Sequence, residues 1–239
     1  PCPNDTFMFD ALINKKIDTK NFDFDIIIDD IEKLNTYTKQ QEVDISKTSF
    51  HNFLKISDNY QLLNSGTAMG KNCGPLIVSK RKIYPDELKD CKIAIPGEST
   101  TANLLMQIFF NEAQNKNVYL FSDIEELVLS NECDAGLLIH ETRFTYQKRG
   151  LKLIADLGNL WENKFNLPIP LGGIIVKRSL PDKIKQEIDK MLCESINLAF
   201  KNLRGTISFM KKHAVEMDEE IMMQHVNLYV NEYSKDIGD

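Results

Sequence analysis

His140 is the residue whose type and setting best suit it to move a proton. The run GLLIHETRFTY reads as an apolar strand, Gly136–Ile139, that delivers the histidine at its carboxyl end directly before a helix. An imidazole titrates near neutrality and can act as a general base. HETRF is not a zinc-protease helix, because Phe144 stands where a second histidine would be needed. The competing reading of a lone histidine is a structural hydrogen bond. His51, His213 and His225 fall within polar or amphipathic helices and read as structural. Cys2 offers a rival chemistry. A thiol near a helix N-terminus can have a lowered pKa, and Cys2 with His140 would make a nucleophile–base pair. Nothing local joins the two, so a plain base ranks above it.

Three segments have the makings of an anion site. PGESTTANLL follows a strand at Lys92–Ile95 and opens a helix at Thr100–Ala113; Gly97 allows close approach, and Ser99, Thr100 and Thr101 bring hydroxyls beside the N–H groups of the helix start. DISKTSF repeats the arrangement, a strand end followed by Lys47, Thr48 and Ser49 at the start of a helix at Ser49–Ser57, with a lysine charge that favours an acidic ligand. PCPNDTF is the third: Pro1 and Pro3 set an extended entry, Asn4 and Asp5 are helix N-caps, and Phe7, Met8, Ala11 and Leu12 recur at helical spacing. The bland reading of all three is ordinary helix capping. The chain opens with neither an initiator methionine nor a strand before this turn, so a short upstream segment is expected. NSGTAMGKNCGP imitates a phosphate loop but fails its spacing, since three residues rather than four separate Gly66 from Gly70 and Asn72 replaces the Ser or Thr after Lys71. No G-x-G-x-x-G occurs either, which argues against a nucleotide cofactor. Ser65 and Gly66, at a strand end, are still expected to line a cleft.

These residues need a scaffold of alternating strands and helices. Strands are expected at Phe22–Ile28, Val43–Ile45, Gln61–Leu63, Pro75–Ser79, Lys92–Ile95, Val118–Phe121, Ala135–Ile139, Leu151–Ala155 and Gly173–Lys177. Helices at Asp30–Gln41, Asp123–Asn131 and Thr142–Arg149 join the two already named, and the alternation predicts mainly parallel sheets covered by helices. After Arg178 the pattern turns helical: Pro181 to about Asn202, Thr206–His213 and Asp218–Tyr233. The charge cluster Lys211–Glu220 reads as a solvated junction between helices. Two joints marked by Pro and Gly, Ser79–Pro85 and Leu167–Gly173, are candidate crossovers between lobes. They divide the chain into residues 1–81 plus 174–239 and residues 82–173, with a ligand expected in the cleft between the two.

Composition narrows the classes. The 239 residues, 42% hydrophobic and 27% charged, can bury one large core or two ordinary ones. A net charge of −6 and the lack of any basic stretch interleaved with aromatics argue against a nucleic-acid partner. No apolar run approaches the roughly 20 residues that span a membrane. The five cysteines, Cys2, Cys73, Cys91, Cys133 and Cys193, are odd in number and lack any C-x-x-C pair, which favours reduced thiols in a cytoplasm and argues against a structural zinc site.

In their order along the chain, PCPNDTF, SKTSF, SGTAMGKNCGPLIV, IPGESTTANLL, IHETRFTY and LPIPLGG resemble the 1,4-dihydroxy-6-naphthoate synthases of the futalosine route to menaquinone, over roughly residues 1–178. The resemblance implies an α/β, two-lobed fold like the type II periplasmic solute-binding proteins, with an interlobe cleft and a helical C-terminal third. It implies cleavage of cyclic dehypoxanthine futalosine to 1,4-dihydroxy-6-naphthoate and dihydroxyacetone, with no metal and no redox cofactor, and a small carboxylate as substrate. His140 then corresponds to the family's proton acceptor, Lys47, Thr48 and Ser49 to one substrate-binding stretch, Thr101 with Ala102 to another, and Asn4 and Asp5 to the opening motif. The family has a strand and a serine just before PCPNDTF, which this sequence does not display. Two alternatives share the expected fold: a non-catalytic solute-binding protein, which would need an export signal and has no use for a base, and the sister lyase chorismate dehydratase, which lacks PCPNDTF and IHETRFTY. The sequence leaves the oligomeric state open.

Overall fold

The computed structural model describes residues 2–213 and 218–238. In chain order it contains α1 (Pro3–Ile13), α2 (Ile31–Lys39), β1 (Ile45–Ser49), α3 (Phe50–Ile56), β2 (Tyr60–Leu62), β3 (Ala68–Gly70) and β4 (Leu76–Ser79). Then come β5 (Ile93–Ile95), α4 (Thr101–Phe109), β6 (Lys116–Val118), α5 (Ile124–Leu129), β7 (Ala135–Leu138), β8 (Lys152–Asp156), α6 (Leu157–Phe165) and β9 (Ile169–Lys177). The last third is α7 (Asp182–Lys201), α8 (Leu203–His213), α9 (Glu219–Tyr229) and α10 (Glu232–Lys235). The chain forms two compact units, Pro1–Gly70 with Gly172–Asp239, and Lys71–Leu171. The first boundary therefore lies at Gly70, not in Ser79–Pro85. That proline-marked stretch follows β4 inside the second unit, because Leu76–Ser79 is hydrogen-bonded on both sides there.

In the first unit β9 is the central strand. It pairs antiparallel with β1, from Ile45↔Val176 to Ser49↔Gly172, and with β2, from Tyr60↔Lys177 to Leu62↔Ile175, and β3 also pairs with it. β1 and β2 thus run parallel, joined by α3, with a strand from far along the chain inserted between them. The expectation of mainly parallel sheets fails here for that reason: local β–α alternation cannot announce a return strand. Helix α1 is buried on most of its surface and packs Phe7, Met8 and Leu12 against Ile174 and Val176 of β9 and against Ile188, Met191, Leu192 and Ile196 of α7, none more than 6% exposed. Ser195 inserts into α1, donating to the Met8 carbonyl at 2.6 Å and accepting from the Leu12 N–H at 3.2 Å. The expected strand Phe22–Ile28 is instead irregular chain outside any sheet. Phe22 and Phe24 stack and lean on the core, while Ile26, Ile27 and Ile28 stand 41–52% exposed.

The second unit is a five-stranded sheet in the order β6-β5-β7-β4-β8. β6, β5 and β7 are parallel and β4 is antiparallel to both β7 and β8. Leu76, Val78, Ala94, Ile124, Val128 and Leu138 form its core under α5. At one edge Gly74 and Gly158 bring backbone against backbone. A Cβ on Gly158 would sit 2.7 Å from the Gly74 nitrogen.

In the helical third, α9 stops at Tyr229, where Val230 turns extended, and Asn231 caps the separate α10 through the Tyr233 N–H. Lys211 pairs with Glu219 across the expected charged junction, both exposed; residues 214–217 of that junction lie outside the described residues. No helix among the described residues is long and apolar enough to cross a membrane. The five cysteines are thiols, with no disulfide among the described residues.

Candidate functional site

The sequence places Lys47, Thr48 and Ser49 at a helix start; they are the last three residues of β1, paired with β9, and of them Ser49 is also the N-cap of α3, which begins at Phe50. The alternation of the pleat separates their roles. Lys47 points to Asp5 and closes an ion pair of 2.8 Å. Asp5 also accepts from the Asn4 side-chain amide at 3.1 Å, and the Asn4 oxygen lies 2.9 Å from Nε2 of His225, which is 1% exposed. Since the Asn4 nitrogen faces a carboxylate, its oxygen is the acceptor and His225 Nε2 carries the proton. Asn4 and Asp5 are not the caps of α1; they lie within its first turn, after Pro3 at the first helical position and Cys2 at the cap. The opening motif, Lys47 and the helical tail are therefore one buried polar chain. His225 belongs to it although its sequence setting reads as merely structural.

Thr48 is fully buried and faces Asn35 of α2, whose Oδ1 accepts from the Thr48 hydroxyl at 3.1 Å and from the Ser49 N–H at 3.0 Å. The Asn35 amide nitrogen donates to Ser49 Oγ at 3.2 Å. Asn35 went unnoticed in the sequence. Its only signal there is a polar residue one position after Leu34, in the middle of a helix capped by Asp30.

Ser65 and Gly66 are occupied differently from the expectation. The Ser65 N–H donates to Asp189 and its hydroxyl to the Lys235 carbonyl, and the Gly66 N–H donates to the Ser234 carbonyl at 2.7 Å. Gly66 has φ +89°, and a Cβ there would meet Leu192 at 2.9 Å. Their donors serve the joint with the helical tail and none remains for a ligand.

In the second unit, the four buried residues of β7 lead through Ile139 to His140, which takes a left-handed φ of +64°. Its ring stands edge-on to Phe121 at 4.9 Å. The chain continues as a 3₁₀ turn, His140–Phe144, rather than the expected helix at Thr142–Arg149. The Thr142 hydroxyl ties this turn back to the Ile139 carbonyl at 2.7 Å. The half-buried Arg143 donates to the Gly74 carbonyl and pairs with Asp156 at 3.5 Å, and Asp156 in turn caps α6 through the Gly158 and Asn159 N–H groups. Burial pushes the neighbouring Glu141 carboxyl upward from its ordinary value. Burial also pushes the Cys73 thiol up to about 12, so it stays protonated and unreactive.

The start of α4 lies in the same unit. Thr100 is its N-cap, with Oγ1 accepting from the Asn103 N–H at 3.2 Å and donating to the Gly97 carbonyl at 2.8 Å. Thr101 donates its hydroxyl to the Leu171 carbonyl at 2.7 Å, so it offers a ligand oxygen lone pairs rather than that proton. Ala102 adds no side-chain group; what it brings is the backbone N–H of a first helical turn, which no carbonyl of the helix satisfies. Among the described residues no group of three or more His, Cys, Asp or Glu side chains gathers as a metal-ligand set.

The family model described as menaquinone biosynthesis matches residues 1–239. The chain belongs to this menaquinone-biosynthesis family. Within it, the chain is 34% identical over 239 residues to the 1,4-dihydroxy-6-naphtoate synthase of Thermus thermophilus, and 36% identical over 244 residues to that of Streptomyces coelicolor. Each match covers 100% of this chain and 86% of the relative. A crystal structure of an Archaeoglobus fulgidus protein superposes with a TM-score of 0.94 at 34% identity, covering 100% of this chain and 89% of that one. The aliphatic sulphonate binding protein of Escherichia coli superposes with a TM-score of 0.66 at 10% identity, covering 95% of this chain and 76% of that one, a likeness of fold alone. The fold of this family member is thus periplasmic-binding-protein-like, and the chain is an enzyme of menaquinone biosynthesis.

Proposed function

We propose that the protein is a carbon–carbon lyase that converts cyclic dehypoxanthine futalosine to 1,4-dihydroxy-6-naphthoate and dihydroxyacetone, with His140 as its general base. The observation that carries the reading is identity along the whole chain to two proteins bearing the synthase name. The residues support it chemically. A retro-aldol-type cleavage needs a base to take a proton and donors to hold the oxyanion that develops. His140, exposed enough to meet a ligand and fixed by a rigid strand end, suits the first task. Aromatisation of the product drives the reaction forward, so the chemistry asks for neither metal nor redox cofactor. The aromatic carboxylate of the substrate is read by Ser49, with Lys47, held by Asp5, setting the shape and charge beside it; Thr101 and Ala102, with the N–H groups of a first helical turn, are a second substrate-binding stretch. Five thiols and a biosynthetic role go with a cytoplasmic enzyme.

The test is incubation of the purified full-length protein with cyclic dehypoxanthine futalosine and mass spectrometry of the products. Dihydroxynaphthoate and dihydroxyacetone in equal amounts are expected. Conversion of chorismate instead would assign the sister lyase, and tight binding without any turnover would assign a solute-binding protein.

A further inference from the structure

The geometry points to Asn35 as a specificity-determining positioning residue that forces the Ser49 hydroxyl to present its proton to the ligand. The inference rests on the reading that Ser49 contacts substrate and adds which group of the substrate it can meet. A backbone N–H can only donate, so the Asn35 atom 3.0 Å from the Ser49 nitrogen must be the amide oxygen. That settles the orientation of the side chain without appeal to density or convention. The other amide atom is then nitrogen, with two protons, one directed at Glu32 Oε2 at 3.2 Å and one at Ser49 Oγ at 3.2 Å. Ser49 Oγ is therefore an acceptor from the protein, and its own proton has no acceptor among the described residues.

The direction is enforced from further back. Asn52 Nδ2 donates to Thr48 Oγ1 at 2.9 Å, and the Thr48 hydroxyl in turn donates to Asn35 Oδ1 at 3.1 Å, closer than its alternative acceptor, the Ser49 carbonyl at 3.4 Å. Donation runs one way, Asn52 to Thr48 to Asn35 to Ser49, through side chains of which none is more than 4% exposed. With all four hydrogen-bonding positions of Asn35 filled, neither a flip of the amide nor a rotation of the Ser49 proton towards it is available. A carboxylate or a developing oxyanion at Ser49 completes the chain. A ligand with no acceptor there leaves a buried donor unsatisfied, which is costly.

The test reverses the polarity while conserving charge. Glu32→Gln with Asn35→Asp keeps the net charge and nearly the volume, but the new carboxylate accepts the Ser49 proton and takes it from the ligand. Binding of 2-naphthoate and of its methyl ester is titrated calorimetrically into wild type, the paired variant, Ser49→Ala and the triple variant. The paired variant is expected to weaken 2-naphthoate about tenfold, the worth of one charge-assisted hydrogen bond, to affect the ester less, and to cause no further loss in the Ser49→Ala background. Wild-type affinity in the paired variant overturns the inference, as does an undiminished loss in that background, which would mean a structural effect that bypasses Ser49. An unchanged affinity in Ser49→Ala alone overturns the underlying reading of Ser49 as well. Should the paired variant not fold, Asn35→Ala is read the same way, with a several-fold loss expected that disappears without Ser49.

Discussion

A φ of +64° places His140 where non-glycine residues are uncommon, although histidine is among those that tolerate it. The neighbours that keep it there are identifiable: Thr142 bonded to the Ile139 carbonyl, and Arg143 bound to Gly74 and Asp156. A side chain that leaves a buried strand in this way is aimed by backbone rather than by its own rotamers, which suits a base that must meet one proton. His140→Ala is accordingly expected to lower turnover by about two to four orders of magnitude while 2-naphthoate binds within twofold of wild type. Turnover near the wild-type rate would take His140 out of the mechanism. The place of His140 just after a buried strand is legible in the sequence, because an apolar run ending in a lone titratable residue is a local pattern. Asn35 and His225 are not legible, because each acts on a partner distant along the chain, Asn35 on Ser49 and His225 on Asn4.

At the level of elements, legibility follows sequence separation. Helix α2 with its Asp30 cap, strand β7 and the long α7 are foreseen to within a few residues, since capping and periodicity are written in neighbours. Pairing direction is not. β9 takes up most of LPIPLGG, which reads from its Pro and Gly content as a crossover between lobes rather than a strand, because both flanks of its later half find hydrogen-bond partners in β1 and β2. Phe22–Ile28 reads as a strand from its residue types and finds no partner among the described residues. The turn joining β8 to α6 depends equally on a remote neighbour, since Gly158 can exist only where Gly74 lacks a side chain. Gly158→Ala drives a Cβ against backbone that cannot rotate away, so a loss of about 1–3 kcal/mol is expected. Urea denaturation of the variant measures it. A midpoint equal to that of wild type would show that the two loops separate freely.

Across the whole molecule, the last residues of the chain complete a unit begun by the first. Asn64, Thr67 and Met69 give their carbonyls to Ile237, Ser234 and Asn231, and the Gly66 N–H goes to Ser234. Ending the chain at Val230 would strand these groups, and at about 1 kcal/mol for each bond the first unit is expected to lose roughly 3–5 kcal/mol. Thermal unfolding followed by a probe in that unit reads this loss, and an unchanged midpoint would show the tail to be ornamental. The same interleaving has a consequence during translation. The second unit is contiguous, Lys71–Leu171, and has all its strands once Leu171 has left the ribosome. α1, β1 and β2 emerge earlier but must wait for β9 and α7, about 110 residues later for β2 and about 160–190 for α1, or roughly 5–40 s at ordinary elongation rates. During that interval Phe7, Met8 and Leu12 are exposed on the nascent chain, which makes this segment the natural client of a ribosome-associated chaperone. Limited proteolysis of chains stalled shortly after Leu171 has cleared the exit tunnel should find the later-made segment protected and the earliest-made one open, so that the protein matures from its middle outward.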